Sequence, residues 1–422
     1  MILNPTSAQY HVSVIGAGIV GLCTALKLLD DGHRVTLFDP RVAGTATSFG
    51  NAGSISTTAL MPYSTPGLWK RLPWMLGSDR SPLRLPVSNW HRSLPWAVRF
   101  LAAGFTREQV EQHAAAMAPM MRRTVDAHRH LMGRHDIDPL LIRPAGWLSV
   151  YRRRDDVDLD GLEFELLRRH DMDVDVLGPE ELNQLEPGLS REFQLGIFNK
   201  HDWFTVQPYS LSKAYYEAFL GAGGEICGEQ VRRFEIGPQG PTRIVTDLGF
   251  HAVDRLVLCA GAWSRSLAKQ LGSPAPVEAE RGYHLNIPWS EGLSLNRPVF
   301  VADGYYVMCP MRDGVRVTSG SEFGGVELPP DFRRIYRMLD EARRSLPGLG
   351  DTPDREWMGW RPSLPDSRPV IGRSPLFGNV FFGFGHGHLG LTLSAITAEI
   401  VSNLVSQRSL PFDIAAFRPD RF

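Results

Sequence analysis

The chain has 422 residues, 43% of them hydrophobic and 22% charged, which is enough apolar material for two domains with separate cores and is ordinary globular composition. A formal net charge of −1 gives no grounds for a polyanion partner such as nucleic acid. No run approaches the roughly 20 apolar residues of a membrane span, Met1 to Tyr10 carries no basic-then-apolar leader, and Cys23, Cys227, Cys259 and Cys309 are scattered without a C-x-x-C, which predicts buried thiols in a reducing, cytoplasmic compartment and no metal site.

The chain opens on its most informative stretch, His11 to Asp39. An apolar run through Val12, Val14 and Ile15 enters Gly16-Ala17-Gly18-Ile19-Val20-Gly21; a helix carrying Leu22, Ala25, Leu26 and Leu29 follows; Gly32 closes it; a second apolar run ends at Asp39-Pro40-Arg41. This is β-turn-α-β with G-x-G-x-x-G at the turn. The first glycine permits the turn, the second lets backbone approach a pyrophosphate, and the third lets helix pack on strand, while the helix N-terminus offers N–H groups and positive dipole. Asp39 stands where an acid takes a ribose hydroxyl pair. The triplet alone does not separate FAD from NAD.

The small, polar segment GTATSFGNAGSIS, residues 44 to 56, fits either a surface lying against something flat or a flexible loop. Residues 61 to 105 interleave six prolines with Trp69, Trp74, Trp90 and Trp96. That pattern suits an irregular excursion over an active site. It also suits a membrane-surface patch, since Lys70, Arg71, Arg80, Arg84, Arg92 and Arg99 face only Asp79. Helical pattern runs from Thr106 to about His135, a strand follows at 146–153, then a helix at 156–170, a turn at Gly178-Pro179, a strand near Gly196 to Phe198 and a helix over 208–220. A hairpin at 231–245 precedes the strand RLVLCAGAWS at 255–264, which ends in small residues. Aromatic-rich strands over 281–320, a helix over 331–346 and a strand-loop-helix at 379–405 complete the chain. Nucleotide-binding signals at both ends predict a discontinuous cofactor domain over 1–60, 165–270 and 350–422, with 61–164 and 271–349 forming a substrate domain.

SFGNAGSIS, MPYSTPG, ERGYH at 280–284, WMGWRPSLPDSRPVIGR at 357–373 and FGHGHLGLT at 384–392 occur in an order that resembles the D-amino acid oxidase/glycine oxidase superfamily of FAD-dependent oxidoreductases. The resemblance covers nearly the whole chain and is densest with bacterial D-amino acid dehydrogenase, D-hydroxyproline dehydrogenase-like and glyphosate oxidoreductase-like proteins. It implies an α/β fold, α+β overall: a Rossmann-type FAD domain plus a substrate domain with a mostly antiparallel sheet. It places Gly16, Gly18 and Gly21 at the FAD pyrophosphate, Asp39 at the ribose, and Ser48, Gly50, Asn51, Ala52, Gly53 and Ser54 along the isoalloxazine. Val231 would flank the adenine, Ala260, Gly261 and Trp263 the pyrophosphate. Gly385, Gly387, Leu389, Gly390, Leu391 and Thr392 would open the last helix against the flavin, whose reduced, anionic form a helix N-terminus stabilises.

The same resemblance makes Arg361 the anchor of the substrate carboxylate, a task suited to a planar, bidentate guanidinium. It makes Tyr306 the active-site tyrosine, with Tyr305 taking the role if the strand register slips by one. His386 and His388, at the helix start, are expected to be neutral, because that position disfavours a cation; relatives carry Thr at 388, which leaves flavin contact and pocket lining equally open for His388. The implied reaction is oxidation of a D-amino acid or a secondary amino acid such as D-hydroxyproline by hydride transfer from Cα to flavin N5, without a dedicated base. Noncovalent FAD is implied by the lack of cysteine in the C-terminal segment, and the lack of lysine after Lys269 leans towards a quinone-type acceptor at the inner face of the cell membrane. An oxygen-using glycine/sarcosine-type oxidase, or a flavin subunit active only in a hetero-oligomer, are the alternatives.

Overall fold

The computed structural model describes residues 9–77, 81, 83–86 and 90–422. Asp79, Arg80 and Pro82, and the residues before Gln9, lie outside them, as do the side chains of Arg71, Trp74, Trp90 and Arg92.

The apolar run at the start forms strand His11–Ile15, the centre of a six-stranded sheet. In spatial order the strands are Glu225–Cys227, Arg34–Phe38, His11–Ile15, Arg255–Leu258, Val380–Phe384 and Val370–Arg373, parallel except for the last pair. Parallel strands are covered on both faces, and Val12, Val14, Val257 and Leu258 are fully buried accordingly. Helices Ile19–Asp30, Pro208–Gly221, Arg107–Arg134 and Gly390–Val405 share the core on one face. On the other lie helix Ser264–Gln270 and a small sheet, Val231–Gly237, Gly240–Thr246 and Phe250–Ala252.

A second, mostly antiparallel sheet runs Arg355–Ser363, Glu278–Ile287, Gly314–Glu322, Tyr306–Met311, Val299–Val301, Trp147–Tyr151, Leu195–Asn199 and Asp175–Leu177, with Leu83–Arg84 beside Gly314–Glu322. Helix Arg333–Ser345 covers its outer face. Strand Glu278–Ile287 is buried along all ten residues because that helix lies on one side and the cavity described below on the other.

The pairing moves the expected domain boundaries. Asp175–Leu177, Leu195–Asn199 and Arg355–Ser363, assigned by sequence to the cofactor domain, hydrogen-bond into the second sheet. Helix Arg107–Arg134, assigned to the substrate domain, packs Val110, Met117 and Met121 into the core of the first. The excursion is also more regular than its prolines imply: it contains helices Leu68–Gly77 and Trp90–Ala103, with Pro73 and Pro95 inside them. Gly387–Val405 is, among the described residues, the segment long and apolar enough to cross a membrane, and it is a largely buried core helix.

Candidate active site

One cavity of about 1010 Å³ runs between the two sheets, from the first glycine-rich turn to the inner face of the second sheet. At its nucleotide end Gly16, at φ 105°, donates its N–H to Phe38 O at 2.8 Å. A Cβ there would sit 2.5 Å from Cys259 O, and one at Gly21 would sit 1.8 Å from Gly16 O, so both glycines are required by chain packing. Gly18 instead faces the cavity; a Cβ added to it would meet only Ser48 Oγ, at 3.5 Å. Helix Ile19–Asp30 has no cap from its own N-cap Gly18; Ser48 Oγ supplies one from outside, accepting Ile19 N–H at 3.0 Å. The Asp39 carboxylate accepts the N–H groups of Ala17 (2.8 Å) and Arg41 (2.9 Å), which fixes it at the cavity wall. Arg41 lies over the Trp263 ring at 4.0 Å, and Pro40, Val231, Ala260 and Gly261 complete this end.

Ser48, Gly50, Asn51, Ala52 and Ser54 continue the wall, but part of their smallness has a different cause from a flat ligand. A Cβ on Gly50 would lie 2.1 Å from Trp357, and one on Gly53, at φ 83°, would lie 2.3 Å from Thr205 O. Ala17, Gly21 and Gly53 stand behind the wall, not in it. Opposite, Gly385, Gly387, Leu389, Gly390, Leu391 and Thr392 present the start of helix Gly390–Val405, whose N-terminus has no side-chain cap. An uncapped helix start, a glycine turn open to the cavity and an acid at the second strand end are the donor set a flavin dinucleotide needs, so these residues fit FAD.

At the far end Arg361 enters from strand Arg355–Ser363 and lies across Gly282 of the adjacent strand; a Cβ on Gly282 would come within 2.1 Å of Nη2. Its Nη1 donates to Glu280 Oε1 at 2.9 Å and to Gly320 O at 2.7 Å. Glu280 Oε1 also accepts from His388 Nε2 (2.7 Å) and Ser321 Oγ (2.6 Å), and Oε2 accepts from Ser363 Oγ at 2.6 Å. Burial alone would raise the Glu280 pKa, but the interactions with His388 and Arg361, with the Ser321 hydrogen bond, hold it well below the usual carboxylate range. The Tyr63 ring packs on His388, centroids 4.5 Å apart. His386 also lines the cavity, yet its Nε2 lies 3.0 Å from Thr397 Oγ1, and burial pushes its pKa down to about 3, so it is neutral.

Tyr306 is a correction. Its hydroxyl bonds Ser345 Oγ at 2.7 Å in the core behind the sheet, away from the cavity, whereas Tyr305 and Val307 line it. Tyr305 sits in the preceding turn at φ 55°, and the period-two alternation then turns Tyr306 to the opposite face. Tyr283 bonds Glu322 and meets Phe332 edge-on in that same core.

Sequence reasoning missed two acids. Glu280 was visible only as one of two acids, with Glu278, at the start of a strand that also carries Arg281, His284 and Asn286. Asp202 lines the cavity with Asn199; its Oδ1 accepts Thr57 N–H (2.5 Å), Thr57 Oγ1 (2.9 Å) and Asn199 Nδ2 (2.5 Å), which ties down the end of the 48–58 segment. Burial raises its pKa to about 6 against those hydrogen bonds. Cys227, Glu229 and His251 bring three potential ligand atoms within 4.8 Å of one another beside the nucleotide end. Glu229 already accepts from Thr246 Oγ1 at 2.6 Å and His251 Nε2 at 2.8 Å, and burial together with Glu229 raises the Cys227 thiol pKa, which describes a hydrogen-bonded cluster.

Residues 11–404 match the family model described as DAO, FAD dependent oxidoreductase. A D-amino-acid oxidase of Bradyrhizobium diazoefficiens is 32% identical over 98% of this chain and 99% of that protein. A D-amino acid dehydrogenase of Chromohalobacter salexigens is 29% identical over 96% and 97%. Among solved structures, glycine oxidase from Geobacillus kaustophilus superposes with a TM-score of 0.78 at 18% identity, over 98% of this chain and all of that one, a likeness of fold.

Proposed function

Because the chain belongs to the DAO family of FAD-dependent oxidoreductases, we propose that it oxidises a D-amino acid or a secondary amino acid such as D-hydroxyproline, held by its carboxylate on Arg361. It is an enzyme, and its cofactor is FAD. The observation that carries the reading is the placement of Arg361: a guanidinium laid over Gly282, inside the cavity, with only Nη1 committed to protein acceptors among the described residues.

FAD bound along the cavity supplies the hydride acceptor. The chain's own residues do the rest. The Gly16–Gly21 turn and Asp39 hold the nucleotide end, and the 48–54 segment and the start of helix Gly390–Val405 hold the other. Arg361 fixes the carboxylate and thereby the Cα–H direction, and the apolar wall of Trp357, Phe300 and Val307 excludes water. The substrate amine enters neutral; loss of its Cα–H as hydride leaves an iminium, which sheds an N–H proton to water to give the imine, and this hydrolyses or, from a cyclic amine, persists. Such a reaction draws mainly on positioning, in keeping with a site whose acids Glu280 and Asp202 are already committed to protein donors.

The acceptor in this reading is a quinone reached through the 61–105 excursion, with peripheral contact at the inner face of the cell membrane. Support comes from the exposed Trp69, Leu94, Val98 and Phe105, from the apolar cavity lining of Leu68, Leu72 and Leu101, and from the absence of any of the five lysines from that lining among the described residues. The 32% identical relative named as an oxidase favours the second reading, direct use of oxygen. The test is anaerobic mixing of the yellow protein with D- and L-amino acids, D-hydroxyproline, sarcosine and glyphosate, then air. Bleaching by D- or N-substituted amino acids with slow recovery in air and fast recovery with a soluble quinone is expected. Rapid recovery in air would install the oxidase reading, and no bleaching by any of them would remove the amino-acid reading.

A further inference from the structure

The cavity holds a carboxylate that an arginine anchor does not require. Glu280 lies in a strand buried along its length, is 5% exposed, and takes four donors: Arg361, His388 and Ser321 on Oε1, and Ser363 on Oε2. With this carboxylate 2.9 Å away, the charge of Arg361 is cancelled before a substrate arrives. A substrate carboxylate brought to the same guanidinium then places a second negative charge beside the first, in a partly desolvated pocket where like charges repel strongly.

The groups facing Glu280 and His388 from the surrounding elements are Arg361 and Ser363 from strand Arg355–Ser363, Ser321 from strand Gly314–Glu322, and Tyr63, whose ring covers His388 from the loop before helix Leu68–Gly77. Among side-chain types, imidazole is the one that serves as a charge switch near neutral pH. The start of the terminal helix opposes a cation at His388, and Glu280 favours one. Added negative charge tips that balance.

Building on the reading of Arg361 as the carboxylate anchor, we propose that His388 and Glu280 are a proton-linked positioning pair. The imidazolium at 388 offsets Glu280 and leaves the charge of Arg361 to the substrate carboxylate, so binding takes up a proton at His388. The pair sets how Arg361 meets the substrate and transfers no proton to or from the reacting carbon.

Propionate carries the carboxylate without an oxidisable amine, and its binding to the holoprotein is followed by perturbation of the flavin absorbance and by calorimetry in two buffers of different ionisation enthalpy. Expected is a Kd that rises with pH by up to about tenfold per unit, with net proton uptake on binding. His388→Gln binds more weakly, with a flat pH dependence and no proton uptake; adding Glu280→Gln restores binding, still flat. FAD content of each variant is read from its visible spectrum, so a misfolded protein is recognised. A wild-type Kd that is flat with pH and free of proton uptake, while Arg361→Leu abolishes binding, overturns the linkage and leaves the anchor standing. Propionate binding to Arg361→Leu as tight as to wild type overturns the anchor, and the linkage with it.

Discussion

At the nucleotide end of the cavity the lining is mostly backbone and small residues, from the Gly16–Gly21 turn, Ser48, Val231, Ala260 and Gly261, with the side chains of Asp39, Arg41 and Trp263; at the Arg361 end it is charged and hydroxyl side chains from strands 278–287, 314–322 and 355–363 and the loop at 385–389. The first end recognises by shape and by N–H groups whose positions follow from the local chain path. The second recognises by charge, and each charge there depends on partners brought together only by cross-strand pairing. Changes at the first end should therefore remove the cofactor, whereas changes at the second should leave a yellow protein that handles its substrate poorly.

The largest effect expected is Gly21→Val. Its side chain has no room beside Gly16 O, so the turn cannot close and FAD affinity should fall by well over the tenfold that about 1.4 kcal/mol gives, leaving the purified protein depleted in flavin. Near-normal flavin absorbance per chain would show that the turn is not the cofactor's cradle. Next comes Gly282→Ala, whose added methyl falls on the Arg361 guanidinium. Misplacing a substrate-positioning group by about 1 Å can cost about 100-fold, so kcat/KM should drop by about that factor while FAD content stays unchanged. Loss of FAD here would break the separation of the two ends.

Tyr305 and Tyr306 sharpen the comparison at single-residue resolution. Tyr305→Phe should alter KM or kcat several-fold with little change in Tm. Tyr306→Phe, which deletes the bond to Ser345, should leave kinetics unchanged and lower stability by about 1 kcal/mol. The reverse outcome would put Tyr306 back in the site.

This pair also shows what the sequence could carry. The Gly16–Asp39 unit was legible because turn, helix and strand end are contiguous, and each glycine serves a contact within about twenty residues or at the neighbouring strand. Arg361 was legible through its motif, but its partner Glu280 lies 81 residues away across a strand pair, and nothing local in ERGYH marks that acid as buried. Tyr306 was misplaced by one residue because a period-two pattern gives alternation without phase, and the phase was set by the turn at Tyr305. The domain boundaries shifted for the same reason: strands 175–177 and 355–363 look alike in either sheet until paired.

A pH-dependent effect on stability is expected at Asp202, which lines the same cavity. Its folded-state pKa, about 6, is above the ordinary carboxylate value, so the folded chain binds more protons than the unfolded one between about pH 4 and 6 and stability falls as pH rises through that window, by at most about 2–3 kcal/mol. Asp202→Asn keeps the Oδ1 that accepts all three hydrogen bonds, and should flatten this slope in urea denaturation at graded pH without loss of FAD. An unchanged slope would assign the pH dependence to other groups.

The most direct test of the account is the rate of anaerobic flavin reduction by the best amino-acid substrate in wild type and in Arg361→Leu at equal FAD content. Removing one partner of a desolvated charge-assisted pair costs about 2–5 kcal/mol, so the second-order rate constant should fall at least about 30-fold, with the spectrum of the oxidised flavin unchanged. Equal rates in the two proteins would contradict the assignment of Arg361 as the group that holds the substrate.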